Sequence, residues 1–245
     1  MGAAGRQVVT EVSLDSLRFN RNEVNFSPPP DCSETSSPLL SCWRYKYLKR
    51  TIDILCSLSL IVLLAIPGLV IAILILLTSK GPVFYREQRI GRGGRLFRIW
   101  KFRSMHRHAA HFVRVHGKHD GSEGLEWRMH KGVCDPRITV IGRFLRRWSL
   151  DELPQFFNVL RGEMSLIGPR PIVKAECSLY GDLIEFYLAA KPGISGLWQV
   201  SGRSNLGYVE RALLDAQYVQ KWNPGTDIKI CLLTFSAVLG RVGAV

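Results

Sequence analysis

One apolar stretch decides the fold: residues 54–77, which run ILCSLSLIVLLAIPGLVIAILILL. It contains no charged side chain. As a helix rising ~1.5 Å per residue it would extend about 36 Å, and the hydrocarbon core of a bilayer is ~30 Å thick. The stretch is therefore long enough to cross a membrane. Pro67-Gly68 lies in its middle, where proline removes a backbone hydrogen bond and clashes with the preceding turn, so we expect the helix to break at Pro67.

Basic residues on both sides of this stretch indicate how it enters the membrane. Arg44, Lys46, Lys49 and Arg50 precede it, and Lys80, Arg86, Arg89 and Arg92 follow it. Positively charged loops stay on the cytoplasmic side, so a spanning helix would leave one group on the wrong side. A helix that enters and leaves by the same face keeps both groups in the cytoplasm. The sequence therefore favours a re-entrant helix over a spanning one.

Polar side chains within and beside the stretch are expected to support this arrangement. Ser57 and Ser59 could cover the backbone groups that a bend leaves exposed in lipid. Asp53 lies at the entry boundary, where we expect it to pair with Lys49 or Arg50.

The bulk composition limits the possible partners. The chain has 245 residues and a net charge of +13, which predicts an anionic partner such as nucleic acid, a phospholipid surface or a nucleotide-type substrate. The long apolar stretch argues against nucleic acid and for a membrane. Six cysteines without CxxC spacing indicate neither a disulfide framework nor a zinc site, so we expect a reducing, cytosolic setting.

Composition divides the chain into three parts. Residues 1–41 are polar and rich in proline near their end, which predicts a disordered tail. Residues 42–80 contain the re-entrant helix, preceded by interleaved cations and aromatics that are typical of a membrane interface. Residues 81–245 form a domain on the cytosolic face, with a variable insertion over 106–133. All six histidines fall between His106 and His130, but their spacing matches no compact metal-ligand set, so we favour a solvated insertion over a metal site.

The domain is predicted to be α+β and mainly helical. Residues 82–90 and 96–102 are expected to be two strands of a hairpin, and the glycine-rich segment between them is interpreted as its turn rather than a phosphate loop. Residues 197–203 are predicted to be extended or a loop. Helices are expected over 143–148, 153–160, 173–190, 208–222 and 227–242, the second with Leu153, Phe156, Phe157 and Leu160 on one face. The last is apolar but too short to span comfortably, and we expect it to lie in the core or at the membrane interface.

The candidate chemistry centres on the segment from Arg146 to Gln155, which runs RRWSLDELPQ. Two adjacent carboxylates, Asp151 and Glu152, follow a pair of arginines. Arginine binds phosphate oxygens bidentately, Mg²⁺ takes one or two carboxylates together with substrate phosphates, and an aspartate can attack phosphorus. The alternative is that Ser149 and Glu152 form a capping box at the start of a helix.

The motifs together resemble the bacterial sugar transferase family, the small monotopic phosphoglycosyl transferases that act on polyprenyl phosphate. The resemblance extends from about residue 43 to the C-terminus and is most similar to enzymes that prime exopolysaccharides from UDP-galactose or UDP-glucose. One departure is Ile66-Pro67 at the helix break, where the family often has Ser-Pro. The matching motifs are Lys49-Arg50, KFRSM at 101–105, DPR at 135–137, SLDELPQ at 149–155, GPRP at 168–171, KPGISG at 191–196 and Gly202-Arg203.

The resemblance implies a reaction and roles for particular residues. Asp151 would attack the β-phosphorus of the UDP-sugar, releasing UMP, and undecaprenyl phosphate would then take up the sugar phosphate. Glu152, with Asp151, would hold Mg²⁺. Arg146 would contact phosphate. Further substrate-binding residues would be Lys101, Arg103, Arg170, Gln199 and Arg203.

These inferences combine into one description. We expect a monotopic protein of the bacterial inner membrane, on its cytoplasmic face, with a proline-broken re-entrant N-terminal helix, a small β-hairpin and amphipathic interface helices. Its partners would be a UDP-sugar, undecaprenyl phosphate and membrane lipid, and the sequence leaves open whether a second copy joins it in a homodimer. The sequence is also compatible with a non-catalytic scaffold of the same fold, and with a one-step transfer that forms no covalent intermediate.

Overall fold

The computed structural model describes residues 44–106, 137–202 and 206–239. The predicted tail over 1–41, the insertion beyond His106, the Asp135-Pro136 turn and Arg203 lie outside the described residues. The described part is mostly helical and contains two small two-stranded sheets. This confirms the predicted α+β class.

The apolar stretch forms two helices joined at a sharp bend. A π-helical turn over Arg44–Leu48 leads into α1, Lys49–Leu63, and α2 follows over Ala65–Thr78. No described helix alone is long and apolar enough to cross a membrane, whereas α1 with its leading turn and α2 meet that requirement as a pair bent by 60°.

The break lies at Leu64 and not at Pro67, so the predicted position was wrong. Pro67 occupies the first turn of α2, where a helix needs no N–H donor. In a continuous helix its ring would clash with the carbonyl four residues earlier, at Leu63, so the chain breaks one turn before the proline. Ser57 and Ser59 do not cover the bend. Ser57 is buried without a hydrogen-bond partner among the described residues, and Ser59 is exposed.

A β-hairpin follows as predicted. Strands β1, Phe84–Ile90, and β2, Leu96–Phe102, pair antiparallel from Phe84 opposite Phe102 to Ile90 opposite Leu96. Gly93 and Gly94 in the turn have φ of 66° and 75°, which favours glycine. The hairpin base packs on α2, because Phe102 shares a core cluster with Ile71, Ile75 and Leu145.

The rest of the described chain is a set of short helices around a two-stranded parallel sheet. Strands β3 and β4 pair Ser165 with Gly193 and Ile167 with Ser195. The elements in order are α3 Val140–Arg147, α4 Gln155–Arg161, β3 Ser165–Ile167, α5 Cys177–Tyr180, α6 Ile184–Ala189, β4 Gly193–Ser195, α7 Leu197–Ser201, α8 Tyr208–Gln220 and α9 Pro224–Leu239.

Two predictions about these helices were wrong. The helix expected over 173–190 is broken at Gly181, whose φ of 48° separates α5 from α6. The segment 197–203, expected to be extended or a loop, begins with the helix α7. Of the apolar residues expected on one face of the second helix, Leu153, Phe156 and Leu160 are partly buried and Phe157 is exposed. Helix α4 also buries a polar side chain, because Asn158 accepts from Trp100 N and donates to Arg98 O of β2.

Two charged side chains fasten the start of α1 to the domain. Lys49 donates to Asp227 of α9 at 2.6 Å, and Arg50 donates to the carbonyls of Val159 and Leu160 at the end of α4. Asp53 pairs with neither, contrary to expectation. It accepts hydrogen bonds from Ser165 Oγ and Leu166 N in β3 instead.

Candidate active site

Asp151 lies on a tight turn between α3 and α4. Residues Leu150–Glu152 form a single 3-10 turn, preceded by Ser149 at φ 54°. A serine at positive φ is uncommon and costs free energy, so the surrounding structure must hold it there. The Ser149 side chain makes no capping hydrogen bond, and the alternative of a capping box with Glu152 is therefore wrong.

The electrostatic environment of Asp151 is balanced between burial and charge. The residue is 8% exposed. Burial raises the pKa of its carboxyl, and the neighbouring Glu152 raises it further, whereas Lys101 and Arg146 lower it. The two cations thus oppose the effects of burial and of the adjacent acid. Without them Asp151 would be protonated over more of the pH range.

Lys101 enters the site from β2. Its Nζ lies 2.7 Å from Glu152 Oε1, and both side chains are only partly exposed. The hairpin therefore supplies a fixed cation directly beside the pair of carboxylates.

Arg146 enters from α3, which is held against the end of β2. Thr139 caps α3 by accepting from Gly142 N, and Thr139 N donates to Ser104 O at 3.0 Å. A Cβ on Gly142 would lie 2.0 Å from that same carbonyl oxygen, so only glycine permits the approach. Arg146 Nε donates to Ser104 Oγ at 2.9 Å, which orients its guanidinium near Asp151.

A shallow cleft, partly open to solvent, lies beside these groups. Four of the predicted site residues line it: Lys101, Glu152, Arg170 and Gln199. The other lining residues are Arg89, Ile99, Gln155, Pro171, Gly193 and Ile194. The structure thus brings together side chains that are far apart in the sequence, with an excess of cations over acids.

One wall of the cleft is built from the GPRP and KPGISG segments. Gly168 N donates to Ser195 O, and Gly193 N donates to Pro169 O, both at 2.8 Å. A Cβ on Gly193 would lie 2.1 Å from Gly168 N. The two segments therefore pack backbone against backbone, which holds Arg170 at the edge of the cleft. The Arg170 guanidinium lies 5.7 Å from the Trp198 ring centre, and Arg211 lies 4.9 Å from the same ring.

Arg89 was missed as a site residue. It donates to Pro171 O at 3.0 Å, pairs with Glu87 and lies 4.0 Å from Glu176. Tyr85 is paired with Lys101 across the hairpin, so their side chains lie on the same face of the sheet, and Arg89, four residues after Tyr85, lies on that face as well. Counting alternate residues along the hairpin from Lys101 would therefore have identified Arg89.

Arg103 is not part of the cleft. Its Nη2 donates to Ser79 O at 2.7 Å and to Ser79 Oγ at 2.8 Å, and it lies 3.4 Å from Ile75 O. These contacts are at the end of α2, whose last carbonyls lack partners within the helix. The position fits a role in holding α2 to the hairpin, and substrate binding by Arg103 stays a prediction.

Carboxylates available for a metal are few. Within the described ranges, no group of three or more His, Cys, Asp or Glu side chains is arranged to hold an ion. A pair of carboxylates such as Asp151 and Glu152 is the number that Mg²⁺ takes when substrate phosphates complete its shell, so the predicted magnesium site stays a prediction.

Comparison with known proteins identifies the family. The bacterial sugar transferase profile matches residues 44–241. The undecaprenyl-phosphate galactose phosphotransferase of Salmonella typhimurium is 46% identical over 200 residues, which cover 81% of this chain and 42% of that protein. The exopolysaccharide production protein ExoY of Sinorhizobium fredii is 40% identical over 191 residues, 78% of this chain and 84% of ExoY.

A third relative, the UDP-glucose:undecaprenyl-phosphate glucose-1-phosphate transferase of Escherichia coli, is 41% identical over 198 residues, 77% of this chain and 39% of that protein. The chain thus spans about two fifths of the length of the Salmonella and Escherichia relatives and most of ExoY. The resemblance inferred from the motifs is confirmed: the chain belongs to the bacterial sugar transferase family.

Proposed function

We propose that this protein transfers a hexose-1-phosphate, galactose or glucose, from a UDP-sugar to undecaprenyl phosphate. The products are undecaprenyl-diphospho-sugar and UMP, which would begin the assembly of an exopolysaccharide or another glycan. The observation that carries the proposal is the buried Asp151, whose charged form Lys101 and Arg146 favour, next to Glu152 and Lys101, which line a cleft with more cations than acids. The names of the Salmonella and Escherichia relatives support the same substrates.

The reaction would proceed in two steps through an aspartyl phosphate. A carboxylate oxygen of Asp151 forms a bond to the β-phosphorus of the donor, and the bond from that phosphorus to the bridging oxygen breaks, so that UMP leaves. A phosphate oxygen of undecaprenyl phosphate then bonds to the same phosphorus, and the carboxylate of Asp151 is regenerated. Both steps need cations around the transferring group, and Lys101, Arg146 and Arg170 would supply them.

Mg²⁺ fits the pair of carboxylates. Glu152 and Asp151 would hold it, and the bound ion would offset charge on the diphosphate. Glu152 Oε1 is paired with Lys101 Nζ at 2.7 Å, so Mg²⁺ would bind the other oxygen of Glu152 or displace the lysine from it.

The bent helix pair supports a re-entrant membrane anchor. Large apolar side chains on both helices are exposed, among them Leu55 at 60%, Leu63 at 70%, Ile66 at 77% and Leu77 at 78%. Exposed apolar surface of this extent indicates a membrane or partner interface. With both helices tilted into the membrane plane, a 60° bend is compatible with a chain that leaves by the leaflet it entered, and the basic residues on both flanks favour this path over a broken span, because it keeps them at the cytoplasmic face of the inner membrane.

Transfer can be tested on the detergent-solubilised protein with Mg²⁺ and undecaprenyl phosphate. We expect UMP release with UDP-galactose or UDP-glucose, and a loss of at least about a hundredfold in Asp151→Asn and Glu152→Gln. Asp182→Asn, which removes an exposed acid of the same domain, should retain the wild-type rate. If folded wild-type protein releases no UMP from either donor, the proposed transfer is contradicted and the alternative of a non-catalytic scaffold is supported.

A further inference from the structure

One buried acid of α8 has no part in the proposed reaction. Asp215 is 1% exposed, and its Oδ2 accepts a hydrogen bond from the Tyr180 hydroxyl of α5 at 3.0 Å. Its Oδ1 is also buried but has no hydrogen-bond partner among the described residues. Burying a carboxyl oxygen without a partner costs free energy, so packing alone does not explain Asp215.

Arg170 packs against the side of α8 that carries this acid. Tyr208, Arg211 and Asp215 follow one another at intervals of three and four residues, so they lie on one face of the helix. Arg170 and Arg211 contact the same Trp198 ring, with their guanidinium groups 5.7 and 4.9 Å from its centre. Arg170 therefore lines the cleft and also borders the helix face of Asp215. The two residues, both of them described, form no ion pair.

The surroundings of Asp215 favour its uncharged form at neutral pH. Among the described residues, the titratable or charged side chains that face it from other elements are Tyr180 of α5, Tyr187 of α6 and Arg170. Burial raises the pKa of Asp215 to about 8, because the hydrogen bond from Tyr180 and the charge of Arg170 lower it only in part. Burial also raises the pKa of both tyrosines, so Asp215 ionises before either of them as the pH rises.

We propose that Asp215 is a positioning residue for Arg170: uncharged, it leaves the guanidinium at the cleft, and ionised, it pairs with the guanidinium and draws it away from bound phosphate. A guanidinium binds a carboxylate and a phosphate through the same N–H donors, so the two anions compete for Arg170. The proposal rests on the proposed function in one respect, since it takes the phosphate at Arg170 to be that of the nucleotide donor.

Infrared spectroscopy of the full chain in detergent, without substrate, tests the pairing directly. The C=O stretch of a protonated carboxyl should be present at neutral pH in wild type and missing in Asp215→Asn, which is isosteric with the uncharged acid. It should disappear as the pH rises through about 8. In Arg170→Gln it should persist to a pH at least about one unit higher, because the cation that favours the carboxylate is gone. Asp182→Asn should match wild type.

Binding of UDP, which carries the donor diphosphate but no sugar to transfer, tests the effect on the cleft. From about pH 7 to about pH 9.5 the affinity of wild type should fall about fivefold or more, and that of Asp215→Asn should stay nearly constant. Saturating UDP should also move the loss of the infrared band to higher pH, whereas uridine, which lacks phosphate, should not.

Two results would overturn the proposal. One is a band that titrates at the same pH in wild type and in Arg170→Gln, and the other is a UDP affinity with equal pH dependence in wild type and Asp215→Asn. A merely structural role of Asp215 would produce both of them. Because neither measurement requires transfer of a sugar, a failure of the proposed function would leave their outcome unaffected.

Discussion

At the residue scale, the charge of Asp151 depends on its two cationic neighbours. Burial and Glu152 raise the pKa of Asp151, and Lys101 and Arg146 lower it. The proposed attack on phosphorus needs the ionised carboxylate. The cations therefore have two effects, since they favour the reactive form of Asp151 and attract the donor phosphates.

Replacing Lys101 by methionine should change the pH dependence as well as the rate. Loss of the cation raises the pKa of Asp151 further, so the acid limb of the rate profile should move to higher pH. The rate at the optimum should fall by about tenfold or more, because a cation beside the diphosphate is lost. UMP release measured across pH, with Lys221→Met as control, checks both effects. An acid limb at the wild-type pH would contradict this assignment of Lys101.

The short motif around Asp151 predicts the centre of the candidate site, because Arg146, Asp151 and Glu152 are close in sequence, and their roles stay predictions. Lys101 came from the resemblance alone. Arg89 was missed because its side chain can be assigned to the cleft face only when the pairing of the two strands is known. That pairing depends on where the hairpin turn lies. Arg103 lies only two residues from Lys101, but it follows the strand and turns to the end of α2.

At the element scale, Pro67 determines where the apolar stretch bends. The break at Leu64 satisfies the backbone locally, because Leu64 N donates to Leu60 O and Gly68 N donates to Leu64 O. Proline in the first turn of α2 is compatible with that helix and incompatible with a continuous one.

Pro67→Ala should therefore allow α1 and α2 to join into one straighter helix, in part of the population. The basic residues before α1 would then move to the opposite side of the membrane. Lys46→Cys, in a background with the native cysteines changed to serine, reports this movement through an impermeant maleimide applied to intact cells. We expect labelling only in the Pro67→Ala protein. Labelling that is equal with proline and alanine would contradict a role for Pro67 in setting the bend.

Gly193→Ala should disrupt the sheet that carries the cleft wall. Its Cβ would lie 2.1 Å from Gly168 N and 2.5 Å from Ser195 O, and neither backbone group can move without breaking β3 from β4. We expect a loss of about 3 kcal/mol in the free energy of unfolding, measured by denaturation in detergent. Gly207→Ala, whose Cβ would meet only Glu210 at 4.0 Å, should lose much less. Equal losses would contradict the close approach of the two segments.

The elements that sequence reasoning placed correctly are those with strong local signals, such as the hairpin and the apolar helices. The burial of Asn158 in α4 was not predicted, because it results from hydrogen bonds to Trp100 and Arg98 of β2. The break at Gly181 depends on a single backbone conformation. Neither the burial of Asn158 nor the backbone conformation of Gly181 produces a periodic pattern in the sequence.

At the scale of the whole molecule, the start of α1 is joined to α9. Asp227 accepts from Lys49, Tyr218 and Trp222 at 2.6, 2.8 and 3.1 Å. Tyr218 also donates to Ile167 O in β3. These contacts connect α1, α8, α9 and the sheet beside the cleft, and no local pattern could predict them because the partners are distant in sequence.

Lys49→Met should destabilise the whole domain. Lys49 is 6% exposed, and removing one partner of a buried ion pair leaves the other charge uncompensated, which costs about 3 kcal/mol. Unfolding followed by tryptophan fluorescence checks this, with Lys49→Met/Asp227→Asn expected to recover part of the loss. Lys229→Met on the same helix as Asp227, where the lysine is exposed, serves as control. A Lys49→Met protein as stable as that control would contradict the structural role of the pair.

The covalent aspartyl phosphate is the central claim, and one labelling experiment tests it most directly. Purified protein is incubated with Mg²⁺ and UDP-galactose or UDP-glucose radiolabelled in the sugar, without acceptor, and is then denatured and washed. We predict label retained on wild type and on Asp182→Asn, and none on Asp151→Asn. Wild-type protein that retains no label, yet forms product once undecaprenyl phosphate is added, would contradict the two-step route and the assignment of Asp151 as nucleophile.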